Sequence, residues 1–332
     1  MEKLRIGVVR GGTSSEYTVS LKTGAAILDI LKNKLGDRYD AVDILVDDAG
    51  VWHMHGLPLS REALQQNVDV IYNALHGTYG EDGGLEYDME HMDIPVTSAT
   101  FLGGESIVDK SLAKEQFRSL GYKTPGHVII RRDQTGRDEE YLLEQIQKVF
   151  NELPPPWIVK PLLGGSSEQV LLARSFQELV SAVQSGLEKH ENILVEEYVK
   201  GRPVTAGLIP QFRNTAHYHV PPISFGGEGD ILSYEDRHNG TYKQFPGYTL
   251  DDTDKTTLSR MMETVAETFH LSHPFTGDFV VTPQGVYIIE IDALPALDEH
   301  APFLRLLEGA GIDLSQFVTH VIDRVRGDKD LQ

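Results

Sequence analysis

The chain has 332 residues, enough for two or three domains of ordinary size and for a core that needs no disulfides. Its 30 basic residues against 50 acidic ones give a net charge of −20, so the surface repels a phosphate backbone and sequence-independent nucleic-acid binding is excluded. With no cysteine, a thiol nucleophile, a redox pair and thiolate-bound zinc are also excluded. A single nucleotide is still compatible, because a metal ion and a few local lysines offset its charge. No apolar run approaches the ~20 residues that span a bilayer. The first apolar run starts at Leu4, so a cytoplasmic protein without a separate targeting segment or a membrane partner is expected.

In chain order, residues 4–9 read as a buried strand ending at Arg10-Gly11-Gly12, and a helical pattern follows (Val19, Ala25, Ile27, Leu28, Leu31). Residues 39–46 and 68–75 read as strands, 85–92 as a helix and 94–96 as a further strand. Strand and helix in alternation imply parallel pairing with helices on the faces, and ligands then gather at the carboxyl ends of the strands. Asp109 reads as the N-cap of a helix to Leu120, with Gly121 and Pro125 beyond it. A strand at 126–131, a helix at 139–150, a strand at 157–160 and a helix at 177–187 follow. The remainder opens with a strand at 193–199 and a long polar stretch at 224–247. A helix near 258–269, two consecutive strands and one final helix complete it.

Four segments carry candidate chemistry. In GGTSSEYTVSL, Thr13 and Glu16 fit a capping box, and Glu16 at the mouth of the sheet also suits a substrate ammonium. In NALHGTYGEDGG, His76 is a substrate-site candidate by its position on a Gly-rich loop. Lys160 precedes Gly164-Gly165-Ser166-Ser167, whose amides and hydroxyls suit a triphosphate, although no Walker loop occurs in the chain. Without context the segment reads first as a polar hairpin turn. The fourth segment is a hairpin with Asp278 on its first strand and Glu290 and Asp292, which share a face, on its second. A turn at Pro283-Gln284 sets residue 278 opposite residue 289, one step from Glu290, and a one-residue slip flips Asp278 to the other face. The register is therefore open. If the three acids converge they need a cation, and an all-oxygen set suits Mg²⁺.

Taken in order, GGTSSEYTVSL, NALHGTYGEDGG, Asp109-Lys110, WIVKP, GGSS, ILVEEYVKGR, SYEDRH, GDF and IIEID resemble the D-alanine–D-alanine ligase family of ATP-grasp enzymes over nearly the whole length. The resemblance implies an α/β protein. An open parallel domain at 1–100 would precede an α+β ATP-grasp fold, with a central part at 101–190 and a lid- and metal-bearing part at 191–332. It implies that Glu16 holds the ammonium of a first D-amino acid and that His76 lies beside its carboxylate. Lys110, Lys160, Ser166 and Ser167 would bind ATP phosphates, while Glu196 and the backbone of Glu197 and Val199 would read the adenine. Asp278, Glu290 and Asp292 would hold two Mg²⁺ ions, with Mn²⁺ as an alternative. Arg237 and His238 would close the site from the 224–247 loop, standing where the family has lysine and tyrosine. A homodimer making a dipeptide for peptidoglycan through an acyl phosphate is the implied protein.

Several family positions differ. The arginine two residues before the first metal ligand is Thr276, the family's Asn-x-x-Pro-Gly is Asp292-Ala293-Leu294-Pro295-Ala296, the hydroxyl after His300 is replaced by Ala301-Pro302, and the ribose-binding glutamate is Pro203. Three of these lie on the second-substrate side. They imply a remodelled acceptor site, with D-lactate, D-serine or another amine as alternatives to D-alanine. A catalytically silent nucleotide-binding homologue is the alternative outside enzymes.

Overall fold

The computed structural model describes residues 3–98, 106–132, 138–164, 170–226, 243–244 and 250–327. The first sheet joins β1 (Leu4–Gly11), β2 (Tyr39–Val46), β3 (Trp52–Met54), β4 (Leu57–Pro58) and β5 (Val70–Asn73) in the order β4-β3-β2-β1-β5. β1 pairs in parallel with both β2 and β5, as the alternating pattern requires. The short β3–β4 hairpin adds an antiparallel edge that the sequence did not announce, because such brief strands carry little periodicity. The strand expected at 94–96 reduces to one bridge between Ile71 and Val96. Helices α1 (Tyr17–Asn33), α2 (Arg61–Asn67) and α3 (Gly84–Glu90) cover this sheet.

Helix α4 (Lys110–Ser119) starts as read, with the Asp109 carboxylate accepting from the backbone N–H groups of Ser111 and Leu112. β6 (His127–Arg131), α5 (Asp138–Glu152), β7 (Trp157–Pro161), β8 (Leu171–Ala173), α6 (Phe176–Lys189) and β9 (Asn192–Glu197) form the next layer, whose sheet runs β6-β9-β7-β8. The strand that opens the C-terminal third in the sequence reading is thus an inner strand of this middle sheet, antiparallel to both β6 and β7.

The third sheet runs β12-β11-β10-β13-β14, from β10 (Arg202–Pro210), β11 (His217–Gly226), β12 (Lys243–Gln244), β13 (Phe275–Thr282) and β14 (Gly285–Asp292). Helix α7 (Asp252–Thr268) packs on it together with Phe117 of α4. The single final helix expected is two helices, α8 (Pro302–Gly309) and α9 (Leu314–Gly327). Gly309 and Gly311 interrupt the apolar pattern there, and Pro302 takes the first turn of α8, where its missing N–H costs nothing.

α9 packs against α1 and β5 and α8 against β10 and β11, so one core (Ile6, Val8, Ile27, Phe303, Phe317) joins the first and last parts of the chain. Ion pairs Lys34–Asp313 and Arg38–Asp323 lie at its rim. The carboxyl ends of β1 and β5 therefore face the β13–β14 hairpin across a cleft. No helix among the described residues is long and apolar enough to cross a membrane.

Candidate active site

The cleft is lined by Glu16, His76 and Glu81 on one side, Lys110 and Gly164 on another, and Asp278, Glu290 and Asp292 along its floor. Glu16 is the N-cap residue of α1, yet its side chain makes no capping bond, so the capping-box reading fails. The reason lies in the tight loops. Ser14 donates its hydroxyl to the His76 carbonyl at 2.6 Å and accepts from the Glu16 N–H at 3.2 Å, tying the two strand ends together.

His76 is buried, with Nε2 3.1 Å from the Thr23 hydroxyl and Nδ1 3.6 Å from Glu81. Glu81 also accepts from the Gly77 N–H at 2.8 Å. One ligand atom each from Glu16, His76 and Glu81 lie within 4.8 Å of one another. Two carboxylates so close repel, which favours a bound cation such as an ammonium. Burial pushes the Glu81 carboxyl above its usual range, partly offset by the Gly77 amide and Lys110. Glu81 was missed in the sequence, although it sits five residues after His76; an acid on a loop has no periodicity to mark it.

Gly77 has φ +80°, and a Cβ there would lie 2.8 Å from the Ser14 hydroxyl. Gly77→Ala is accordingly expected to destabilise the protein by about 1–3 kcal/mol in urea denaturation and to weaken first-substrate binding by moving Ser14.

The phosphate side is built from buried charge. Lys110 opens α4 and donates to the Gly164 carbonyl, and burial lowers the pKa of its ammonium. Lys160 Nζ lies 3.0 Å from Glu196 and 3.6 Å from Glu290; burial opposes its charge, but the two carboxylates prevail and its pKa is raised. Glu196, 2% exposed, is held between Lys160 and Lys114, the latter at 2.9 Å. Burial works against its charge, yet the two lysines draw its pKa down to about 2. The carboxylate expected at the adenine thus has two lysines as partners. Glu197 pairs with Gly126 through its N–H and its carboxylate, and neither Glu197 nor Val199 is among the described residues lining the cleft.

A β-bulge decides the hairpin. Phe279 pairs with Ile288 as the turn dictates, but the next pair is Asp278 with Glu290, skipping Ile289. The turn count had placed Asp278 opposite residue 289; the extra residue brings it opposite Glu290, and Thr276 then faces Asp292. Asp278 accepts from the Thr205 hydroxyl at 2.6 Å. Asp292 is exposed at the cleft surface, yet desolvation by the surrounding groups pushes its pKa up to about 7, with Glu81 adding to this and His76 opposing it. The three carboxylates line one floor and are an all-oxygen set of the kind Mg²⁺ takes, although among the described residues the trio whose ligand atoms already lie within 4.8 Å of one another is Glu16, His76 and Glu81. Ser166, Ser167, Arg237 and His238 lie outside the described residues.

Solved structures share this architecture. The D-alanyl-alanine synthetase A of Vibrio cholerae aligns with a TM-score of 0.82 at 20% identity, covering 98% of this chain and 99% of its own. The VanG D-Ala:D-Ser ligase of Enterococcus faecalis aligns at 0.79 and 21%, covering 98% and 100%. The fold is that of the ATP-grasp ligases. Curated D-alanine–D-alanine ligases are similar along nearly their whole length: that of Syntrophotalea carbinolica is 27% identical over 324 residues (97% of this chain, 96% of its own), and that of Geotalea uraniireducens 29% over 326 (96% and 94%). The family described as "D-ala D-ala ligase C-terminus" matches residues 117–323. The chain belongs to the D-alanine–D-alanine ligase family and is an ATP-dependent ligase.

Proposed function

We propose that the protein joins a D-amino acid, D-alanine or a close relative, to an acceptor amine through an acyl phosphate, in the supply of peptidoglycan precursors. The observation that carries this is the single cleft in which an ammonium-binding cluster, a phosphate lysine and a three-carboxylate floor meet. Glu16 and Glu81 hold the first substrate's ammonium, and His76, fixed by Thr23, lies beside its carboxylate. That carboxylate attacks the γ-phosphorus of ATP, giving ADP and the acyl phosphate; the acceptor amine then attacks the carbonyl and phosphate leaves. Lys110, which lines the cleft, and Lys160, buried beside Glu290, would neutralise phosphate charge where exclusion of water makes each charge count for more. Asp278, Glu290 and Asp292 would hold Mg²⁺, which supplies further charge neutralisation when bound. As the family resemblance implies, Ser166 and Ser167 would bind ATP phosphates, and Arg237 and His238 would act at the acceptor. A homodimer in the cytoplasm fits the family.

A second reading of the acceptor has its own observation. The end of the cleft beyond Asp292 is walled by Ala293, Pro295, Ala296, Pro302 and Phe303, with buried Thr276 where the family carries an arginine. No cationic side chain among the described residues stands at that end, so an acceptor without a free carboxylate, or one gripped by Arg237, fits it better than D-alanine does. The test is ADP release with Mg²⁺-ATP and a panel of D- and L-amino acids, D-lactate and amino-acid amides, with products identified by mass. Turnover with D-alanine alone supports the leading reading; turnover only with mixtures supports the second; no turnover with nucleotide still bound rejects the ligase assignment. Thr276→Arg is expected to raise D-alanine use as acceptor about tenfold or more, and an unchanged or lower rate removes the support for a remodelled acceptor site.

A further inference from the structure

Lys114 has no role in the chemistry above, yet it is among the most buried side chains of the protein, at 1% exposure. It lies one helical turn after Lys110 on α4, so the two ammonium groups leave the same face. Its ammonium donates to the Thr124 hydroxyl at 3.1 Å and to the Ile289 carbonyl at 3.0 Å, and it forms an ion pair with Glu196 Oε1 at 2.9 Å. Ile289 is the extra residue of the β14 bulge, the one left out when Asp278 pairs with Glu290.

A bulge breaks the ladder locally and leaves backbone groups that need other partners. Lys114 supplies one to this bulge from outside the sheet. Through Glu196, the same ammonium reaches Lys160, which in turn stands 3.6 Å from Glu290. The contacts close a ring: Lys114, Ile289, Glu290, Lys160, Glu196 and back.

We propose that Lys114 is a positioning residue that pins the hairpin bulge and, through Glu196, the phosphate lysine, so that the floor carboxylates and Lys160 meet Mg²⁺-ATP in one fixed geometry. The idea rests on the reading of Asp278, Glu290 and Asp292 as the metal floor. Lys114 itself touches neither nucleotide nor metal; it acts by fixing residues that do. Without it the hairpin can relax toward the turn-dictated register, which carries Asp278 away from Glu290.

The experiment compares Lys114→Met and Lys114→Gln with the full-length protein, by calorimetric titration of ATP at several Mg²⁺ concentrations and by separate KM values for Mg²⁺-ATP and for the amino acid. Partners of metal ligands typically contribute roughly 10–100-fold in metal affinity. Lys114→Met is expected to weaken Mg²⁺-dependent ATP binding by about tenfold or more, with the KM for the amino acid within a factor of about two. Lys114→Gln, whose amide can still donate to Ile289 and Glu196, recovers a large part of the loss. Should Lys114→Met fail to fold, Lys114→Gln is read alone and must show a smaller loss confined to Mg²⁺-ATP. Wild-type Mg²⁺ dependence in either folded variant, or equal losses for nucleotide and amino acid, overturns the proposal. If the wild-type protein releases no ADP with any substrate, the functional reading falls, while the titration still decides the role of Lys114.

Discussion

Glu290→Gln is expected to lower ADP release by about 10²–10³-fold while leaving the metal-free protein as stable as before. The substitution keeps volume and shape but removes one charge from the floor of the cleft. In the ligand-free protein that charge sits opposite Asp278 and beside Lys160, in a cleft that also contains Asp292 and Glu81. Like charges gathered there oppose folding, and the raised Asp292 and Glu81 pKa values are the signature of that opposition. Neutralising Glu290 relieves some of this repulsion and weakens one lysine contact at 3.6 Å, on a carboxylate about a quarter exposed. Such a contact is worth about 1 kcal/mol or less, so the two effects nearly cancel. With Mg²⁺-ATP present the balance reverses: the wild-type melting temperature rises by mass action on the native state, and the variant's rises much less. A variant with normal ADP release would remove Glu290 from the metal floor.

The contrast between what the sequence revealed and what it did not follows from the range of the forces involved. β1, β2, α1 and the Asp109 cap were legible because local periodicity and capping chemistry set them: Asp109 bonds Ser111 and Leu112 within three residues. The hairpin turn was legible too, since Thr282 pairs with Gly285 across Pro283-Gln284. The bulge was not. It depends on the Ile289 carbonyl meeting Lys114, a residue 175 positions away, and no local count contains that contact. The same holds for Ser14, whose hydroxyl goes to the His76 carbonyl across 62 positions. The strand opening at residue 192 was recognised as a strand, but its place in the middle sheet is fixed by pairing with β6 and β7, which composition does not record. Glu81 shows the limit most simply, since its partners are a backbone amide on its own loop and a histidine, and only the folded loop brings Glu16 within reach.

Glu196→Leu is expected to be the most destabilising single change considered, by about 3–5 kcal/mol. Glu196 is the only carboxylate paired with Lys114 in the structure's ion pairs among the described residues and the nearer of two for Lys160. Both lysines are at least nine-tenths buried. Removing the anion strands two ammonium groups in a low-dielectric interior, and the desolvation already lowering the Lys114 pKa to about 8 then acts with less opposition. For a chain of this size a loss of that order corresponds to a fall in melting temperature of about 5 °C. The pH dependence carries the signature of the cause. The folded carboxyl titrates at about 2 against an ordinary 4.5, so its contribution is fully present above about pH 4.5 and lost as pH falls toward 2. The stability gap between wild type and Glu196→Leu should therefore narrow as pH falls through that acidic window. Adding Lys114→Met to Glu196→Leu should recover part of the loss, because an apolar pair replaces a buried ion pair at little cost whereas a stranded charge does not. Strictly additive losses in that double variant, or a gap that stays constant through the acidic window, would show that the carboxylate stabilises the fold by packing alone.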